Sequence, residues 1–313
     1  MGKVVGPGSA ITDVTGYVQR FPVPGQTVQG NRVQFGPGGK GSNQMTAAHR
    51  AGADVCLIAR RGEDFPGQVL REHYQNEKMS QKYILATPDQ STGMALIEVE
   101  QQSGQNRIAV FLGANEVLSR EDVRMAEEEF AGAGAVLVQF ETGLEPILEA
   151  KELARTYGVP LIVNPAPCRD FPPEVFSGVD YVTPNETEAE QYTGVPVRTA
   201  EDCEEAARKF FALGVKNVIL TLGSRGVFWH DGKKGTTLDA LKVPVVDTTG
   251  AGDAFNGAFA CALSEGLSPD VALKFANCAA ALSVTKPGAS LSMPYRNEIV
   301  AKLKAEYGIE IEK

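Results

Sequence analysis

A glycine-rich turn, an acidic residue and a helix-forming run meet in VVDTTGAGDAFNGAFACAL (245–263). Phe255, Ala258, Phe259 and Ala262 recur at helical spacing, so the stretch predicts a β run, a turn and a helix. Gly250, Ala251 and Gly252 can bring successive backbone N–H groups towards one point at the positive end of that helix, a site for phosphate or developing phosphoryl charge. Asp253 follows at once. A carboxylate beside a phosphate-binding turn meets electrostatic repulsion unless it has a task, and taking a proton from an attacking hydroxyl is such a task. An aspartate in a first helical turn is also favoured by the helix dipole alone, and the spacing fits both accounts.

The elements that must position this turn read as α/β. Apolar strand-like runs alternate with amphipathic stretches, as in VLVQFE (136–141), EPILEAKELARTYG and PLIVNPAP, the rhythm of βαβ units around a parallel sheet. Ser119 with Asp122, and Thr199 with Asp202, have capping-box spacing, while Gly158 and Gly214 stand where helices should end. Two segments break the rhythm: 12–36 is strand-like and interrupted by Pro and Gly, and 94–114 alternates about a polar turn at Gln101 to Gln105. Both predict β-hairpins that cannot join a parallel sheet through a crossover helix. We expect them to form a small β-lid, with 1–11, 37–93 and 115–313 as the main domain; edge hairpins without a function fit the same pattern.

Bulk composition narrows the chemistry. Thirty Lys and Arg against 39 Asp and Glu give a net charge of −9, and no basic run occurs, which argues against nucleic acid as the main partner. Five cysteines without a CxxC pair suggest neither a disulfide framework nor a zinc site and suit a reduced cytosol. No apolar run approaches the roughly 18 residues of a membrane helix, and a soluble, unprocessed protein is expected. GPGGKGS fails the Walker pattern because Gly41 separates Lys40 from Ser42, and GPGSAI (6–11) lacks the third glycine of a dinucleotide fingerprint.

DTTGAGDAFNGA resembles the signature of the ribokinase and phosphofructokinase-B superfamily, and GPGGKGSNQMTAAHRAG (36–52) resembles that family's other signature. The similarity continues through QFET (139–142), NPAP (164–167), TPNETEAE (183–190), TLGSRGVF (221–228) and FANCAAALSVTKPGA (275–289). It implies a three-layer sandwich with a central, mainly parallel sheet and a small β-sheet lid. The implied activity is ATP-dependent phosphorylation of the primary hydroxyl of a small furanose, nominally O5 of ribose, with Asp253 as base and the turn at Gly250, Ala251 and Gly252 as anion hole.

By the same resemblance the sugar is held by Asp13, Gly39, Lys40, Gly41, Asn43 and Glu141. Carboxylates and an amide suit vicinal hydroxyls, and the glycines admit close backbone; Asn43 alone would serve equally as a helix cap. The nucleotide site is implied at Asn185, Thr221, Gly223, Ser224, Gly226, Gly252 and Asn277. Asn185 and Glu188 form the family's N-x-x-E element, which organises Mg²⁺ and its waters, although TPNETEAE also reads as an acidic helix start after Pro184. A monovalent cation, nominally K⁺, is implied beside Asp247, Thr249, Ser283, Lys286, Gly288 and Ser292, mostly through backbone carbonyls.

One position departs from the family. Ribokinases usually read GSxNxD near the N-terminus, and here GSAITD puts Ile11 where the Asn should stand. Burying a sugar hydroxyl against Ile without a hydrogen bond costs about 1–3 kcal/mol. A sugar lacking that hydroxyl escapes the cost, and deoxyribokinases tend to carry an apolar residue there, which makes 2-deoxy-D-ribose the alternative to ribose. Other furanose or nucleoside kinases share the chemistry, and a silent sugar sensor on the same fold would be expected to lose Asp253 or the glycine turn. The resemblance also implies a homodimer in which two lids pack as a clasp, covering residues such as Val110 and Leu112.

Overall fold

The structure, a computed structural model, describes residues 1–311. In chain order the strands are β1 (Lys3–Pro7), β2 (Ile11–Val18), β3 (Gly30–Gly38), β4 (Asp54–Gly62), β5 (Ile84–Thr87), β6 (Gly93–Glu100), β7 (Asn106–Phe111), β8 (Ala135–Gln139), β9 (Leu161–Asn164), β10 (Tyr181–Val182), β11 (Asn217–Thr221), β12 (Val227–His230) and β13 (Gly235–Leu238). The helices are α1 (Lys40–Ala51), α2 (Phe65–Asn76), α3 (Arg120–Arg124), α4 (Glu127–Ala131), α5 (Leu144–Tyr157), α6 (Glu186–Thr193), α7 (Ala200–Ala212), α8 (Ala251–Ser264), α9 (Pro269–Ser283) and α10 (Arg296–Tyr307).

A nine-stranded sheet runs β13-β12-β11-β10-β9-β8-β1-β4-β5, parallel from β11 to β5 and antiparallel at β12 and β13. The central strands, such as β8 and β9, are buried on both faces, as parallel strands under crossover helices must be. Alternate residues separate into two cores. Val5, Ile58, Val136 and Val138 pack with Ile147 and Leu153 of α5 and Phe210 of α7. Val4, Leu57 and Leu137 pack on the other side with Met45 of α1, Phe255 and Phe259 of α8 and Phe275 of α9. Helices on both faces make three layers. No helix among the described residues is long and apolar enough to cross a membrane.

The expected caps form. Ser119 and Asp122 close a capping box on α3, Thr199 and Asp202 one on α7, and Gly158 ends α5 in the left-handed region. A second sheet, β3-β2-β6-β7, takes its strands from the two segments that broke the helical rhythm. Each is an antiparallel pair, and the pairs join through parallel β2 and β6. Ile11 sits at the root of this sheet, opposite Gly38 on one side and Gly93 on the other.

One expected element is absent. Residues 245–247, predicted as a β run before the glycine turn, are irregular, and Val245 and Val246 are 64% and 61% exposed. The amides of Val246 and Asp247 donate to the carbonyl of Val284, just beyond α9, rather than to a neighbouring strand. Adjacent β-branched valines favour β geometry only where a ladder partner exists.

Candidate active site

Within the large sheet β1 pairs with β4 on one side and β8 on the other, so the strand order reverses there. Clefts for ligands open outside the carboxyl ends of strands at such a point. Ser9 follows β1, Glu141 follows β8, Asn164 ends β9 and Thr183 follows β10, which places four polar side chains along one edge.

Helix α1 starts against this edge because its glycines let it. Gly39 caps it with φ 86°, and a β-carbon there would lie 2.9 Å from the Ile11 amide nitrogen; one on Gly41 would lie 2.3 Å from that of Ser9. Glu141 Oε2 accepts from Ser9 Oγ at 2.6 Å and from the Lys40 amide at 2.7 Å. Asn43 is the fourth residue of α1, so the helix-cap reading does not hold. Its Nδ2 instead donates to Asp253 Oδ2 at 2.9 Å, and its Oδ1 accepts from Ser290 Oγ at 2.5 Å. Gln44, not foreseen as a site residue, donates from Nε2 to Asp253 Oδ1 at 2.9 Å.

Asp253 is the third residue of α8 and 7% exposed. Gly250 caps that helix at φ 77°, and the amides of the first turn lack intrahelical acceptors. A β-carbon on Gly252 would meet nothing within 4 Å, so this side of the turn is open. The first helical turn therefore carries the carboxylate of Asp253 beside the open face of Gly252, a position compatible with both the dipole and the proton-transfer accounts.

Carboxylates crowd the site. Burial, reinforced by the charges of Glu141 and Asp253, pushes Asp13 up to about 7. Burial also raises Glu141 against the opposing pull of Lys40, and raises Glu188. Burial by itself would lower Lys40, but Asp253, Glu141 and Glu188 outweigh it and hold the ammonium above its usual value. Lys40 is thus the shared counter-charge of three carboxylates. Ile11, 2% exposed, brings no polar atom to the same floor, its Cγ1 lying 3.0 Å from where a β-carbon on Gly93 would stand.

Beside Asp253 opens a groove of about 780 Å³. Lys40, Asn185, Glu188, Thr221, Gly223, Ser224, Gly226, Gly250, Ala251, Gly252 and Asn277 all line it, which gathers the residues expected for a nucleotide. Leu241, Val243, Val245, Ala280, Ala281 and Val284 supply an apolar wall that sequence reasoning missed. Val243 and Val245 were the available signal: without a strand to join, they line the groove. Asn185 and Glu188 also form a complete capping box on α6, with Glu188 Oε2 accepting from the Asn185 amide at 2.9 Å, so the helix-start reading and the groove position coexist. Among the described residues no group of three or more His, Cys, Asp or Glu is arranged to hold a metal ion by itself. A carboxylate and an amide oxygen on the groove wall suit Mg²⁺ that arrives with phosphates.

The residues expected around a monovalent cation are brought together in part. Asp247 accepts from the Thr249 amide through Oδ1 and the Gly288 amide through Oδ2, both at 2.9 Å. Burial alone would raise it, but these bonds hold it below the usual carboxylate range. The Lys286 amide donates to the Ser283 carbonyl, while its ammonium pairs with Glu298 at 2.8 Å. Ser283 and Ser292 are fully buried, their hydroxyls donating to the carbonyls of Ala280 and Ala289.

The model of the pfkB family carbohydrate kinases matches residues 1–296. The chain belongs to that family. It is 40% identical over 297 residues to ribokinase of Haemophilus influenzae, covering 95% of this chain and 97% of that one. It is 34% identical over 288 residues to deoxyribokinase of Salmonella typhi, covering 92% and 94%. The solved structure of Arabidopsis thaliana ribokinase complexed with ribose and ATP matches with a TM-score of 0.89 at 34% identity, over 97% of this chain and 99% of that one. This pfkB chain is accordingly a sugar kinase with a ribokinase-like fold.

Proposed function

We propose that this kinase transfers the γ-phosphoryl group of ATP to the primary hydroxyl, O5, of D-ribose. The observation that carries the reading is Asp253. Its carboxylate is buried, held through both oxygens by amides of α1, and stands where the groove meets the cluster of Asp13, Lys40 and Glu141. Ribose lies on the side of Asp13, Asn43, Glu141 and the Gly39–Gly41 backbone, and ATP fills the groove with its base on the apolar wall. Asp253 takes the proton from O5 as it attacks in line, and the amides of Gly252 and its neighbours receive the charge that develops on the phosphoryl oxygens. Glu188 and Asn185 would hold Mg²⁺, which would supply positive charge to offset that of the phosphates. A monovalent cation held by Asp247 and the carbonyls around Ser283, Lys286, Gly288 and Ser292 would steady the same turn; sodium replacing potassium with no loss of rate would refute that part.

Ile11 favours a second reading, 2-deoxy-D-ribose as the preferred sugar. With its side chain buried at the root of the small sheet, no hydrogen bond is available to a hydroxyl there. Side-by-side kcat/KM for ribose and 2-deoxyribose, with ATP and Mg²⁺ and with Asp253→Asn as control, decides between the two. Turnover of neither with ATP bound overturns both.

The small sheet serves as the lid over the sugar and as a dimer clasp. Val33, Phe35, Leu96, Ile108, Val110 and Phe111 are each at least 43% exposed on it, more apolar surface than a four-stranded sheet leaves to water without a partner. Leu112, half-buried just past β7, contributes less than Val110. A monomer in sedimentation at micromolar concentration refutes the clasp. A cytosolic setting suits the five free cysteines.

A further inference from the structure

Gln44 is fully buried and does not line the groove, yet it spends every polar atom of its side chain on the site. Its Nε2 donates to Asp253 Oδ1 and to Asn164 Oδ1, both at 2.9 Å, and its Oε1 accepts from Gln139 Nε2 at 2.7 Å. This arrangement admits one orientation only. Flipped, the amide would turn its oxygen on two acceptors and its nitrogen on a donor. The bonds then run on. Asn164 Nδ2 donates to the Thr183 carbonyl at 2.9 Å, Thr183 Oγ1 to Asn256 Oδ1 at 2.6 Å, and Asn256 Nδ2 to the Gly252 carbonyl at 2.8 Å. A closed circuit of buried hydrogen bonds thereby joins the carboxylate of Asp253 to the peptide of Gly252 on the same helical turn.

We propose that Gln44 is the positioning residue of the catalytic base, fixing the Asp253 carboxylate relative to the phosphoryl-binding amides. The inference rests on the reading of Asp253 as base. Asn43, the other amide on Asp253, belongs to the proposed sugar side. Gln44 is sealed from substrate, so its N–H stays on Asp253 throughout turnover. A carboxylate that lost this restraint would rotate away from O5, and displacements of this size cost rate more than binding.

The test is steady-state kinetics on Gln44→Met, which keeps the volume and removes the N–H. We expect kcat to fall by at least about tenfold with both KM values within about twofold, the pattern of an interaction used in the transition state. Gln44→Met leaves Gln139 Nε2 buried without an acceptor and Asn164 Oδ1 without its donor; the double variant Gln44→Met/Gln139→Met, measured beside it, removes the first of these two defects. Gln139 Oε1 has no partner already, and removing this side chain sacrifices nothing else. The double variant should regain part of the lost thermal stability and remain slow, Asn164 Oδ1 still lacking its donor. If kcat returns with stability, or if Gln44→Met keeps kcat within about twofold, the proposal is overturned and Gln44 only packs. Should Gln44→Met fail to fold, the kcat of the double variant decides alone. Asp253→Asn separates the two levels: turnover surviving in it refutes the base assignment, whereas turnover lost there but intact in Gln44→Met refutes only the role of Gln44.

Discussion

Gly257 of α8 and Gln44 of α1 approach so closely that a β-carbon on the glycine would stand 2.2 Å from the Gln44 carbonyl oxygen and 2.8 Å from the Ala48 amide nitrogen. Both obstacles are helical backbone, which yields only if the helices separate. α8 carries Asp253 and α1 carries the two amides that hold it, so their separation sets the geometry of the proposed base. Gly257→Ala should destabilise the protein by about 1–3 kcal/mol, as overpacking does, and lower kcat more than it raises the sugar KM. Urea denaturation and steady-state kinetics check the two halves.

Gly252 is the contrasting case on the same helix. A β-carbon there touches nothing within 4 Å, and its φ lies outside the range that favours glycine. Gly252→Ala should therefore stabilise the free protein by about 0.4–1 kcal/mol through the unfolded chain. The added methyl stands where phosphate must approach the amides, so kcat/KM for ATP should fall by about tenfold or more. A variant neither more stable nor slower would contradict the open anion turn.

Asp13 ties stability to pH. Its carboxyl, raised to about 7 by burial and by the charges of Glu141 and Asp253, is protonated in the folded protein at pH values where the unfolded chain has already released the proton. The folded state binds the extra proton between about pH 4 and 7, so stability falls as pH rises through that window and the loss is complete above it. Asp13→Asn should thus be more stable than the parent at pH 8, with the gain vanishing towards pH 4, while its sugar KM rises. Urea midpoints at the two pH values provide the check; an equal gain at both would show that the carboxyl is not the source.

Ile11→Asn restores an amide at the root of the small sheet without adding bulk beside Gly39 and Gly93. The ratio of kcat/KM for ribose to that for 2-deoxyribose should rise by about tenfold, the worth of one hydrogen bond to a buried hydroxyl. An unchanged ratio would mean that this position does not meet the sugar.

Local signals carried much of the fold. Ser119, Thr199 and Gly158 act within a few residues of themselves, so the boundaries they predicted formed. Asn43 was ambiguous for the opposite reason: its partners Asp253 and Ser290 lie more than 200 positions away, and nothing nearby distinguishes an amide that caps from one that reaches across the sheet. Gln44 was overlooked on the same ground. The run 245–247 misled because paired valines state a preference for extended backbone but not the presence of a neighbour, and here Val284 supplies the acceptor where a strand would. Residues of the family signatures could be placed on the groove; the apolar wall at 241–245 could not, since an irregular segment has no period to read.

Ile11 is opposite Gly38 in one ladder and Gly93 in the other, so both excursions of chain that build the small sheet are rooted at the residue proposed to distinguish the two sugars. A substitution at Ile11 made to alter the proposed sugar contact therefore also alters the packing at the base of both hairpins, where β-carbons on Gly39 and Gly93 would lie 3.1 and 3.0 Å from its side chain.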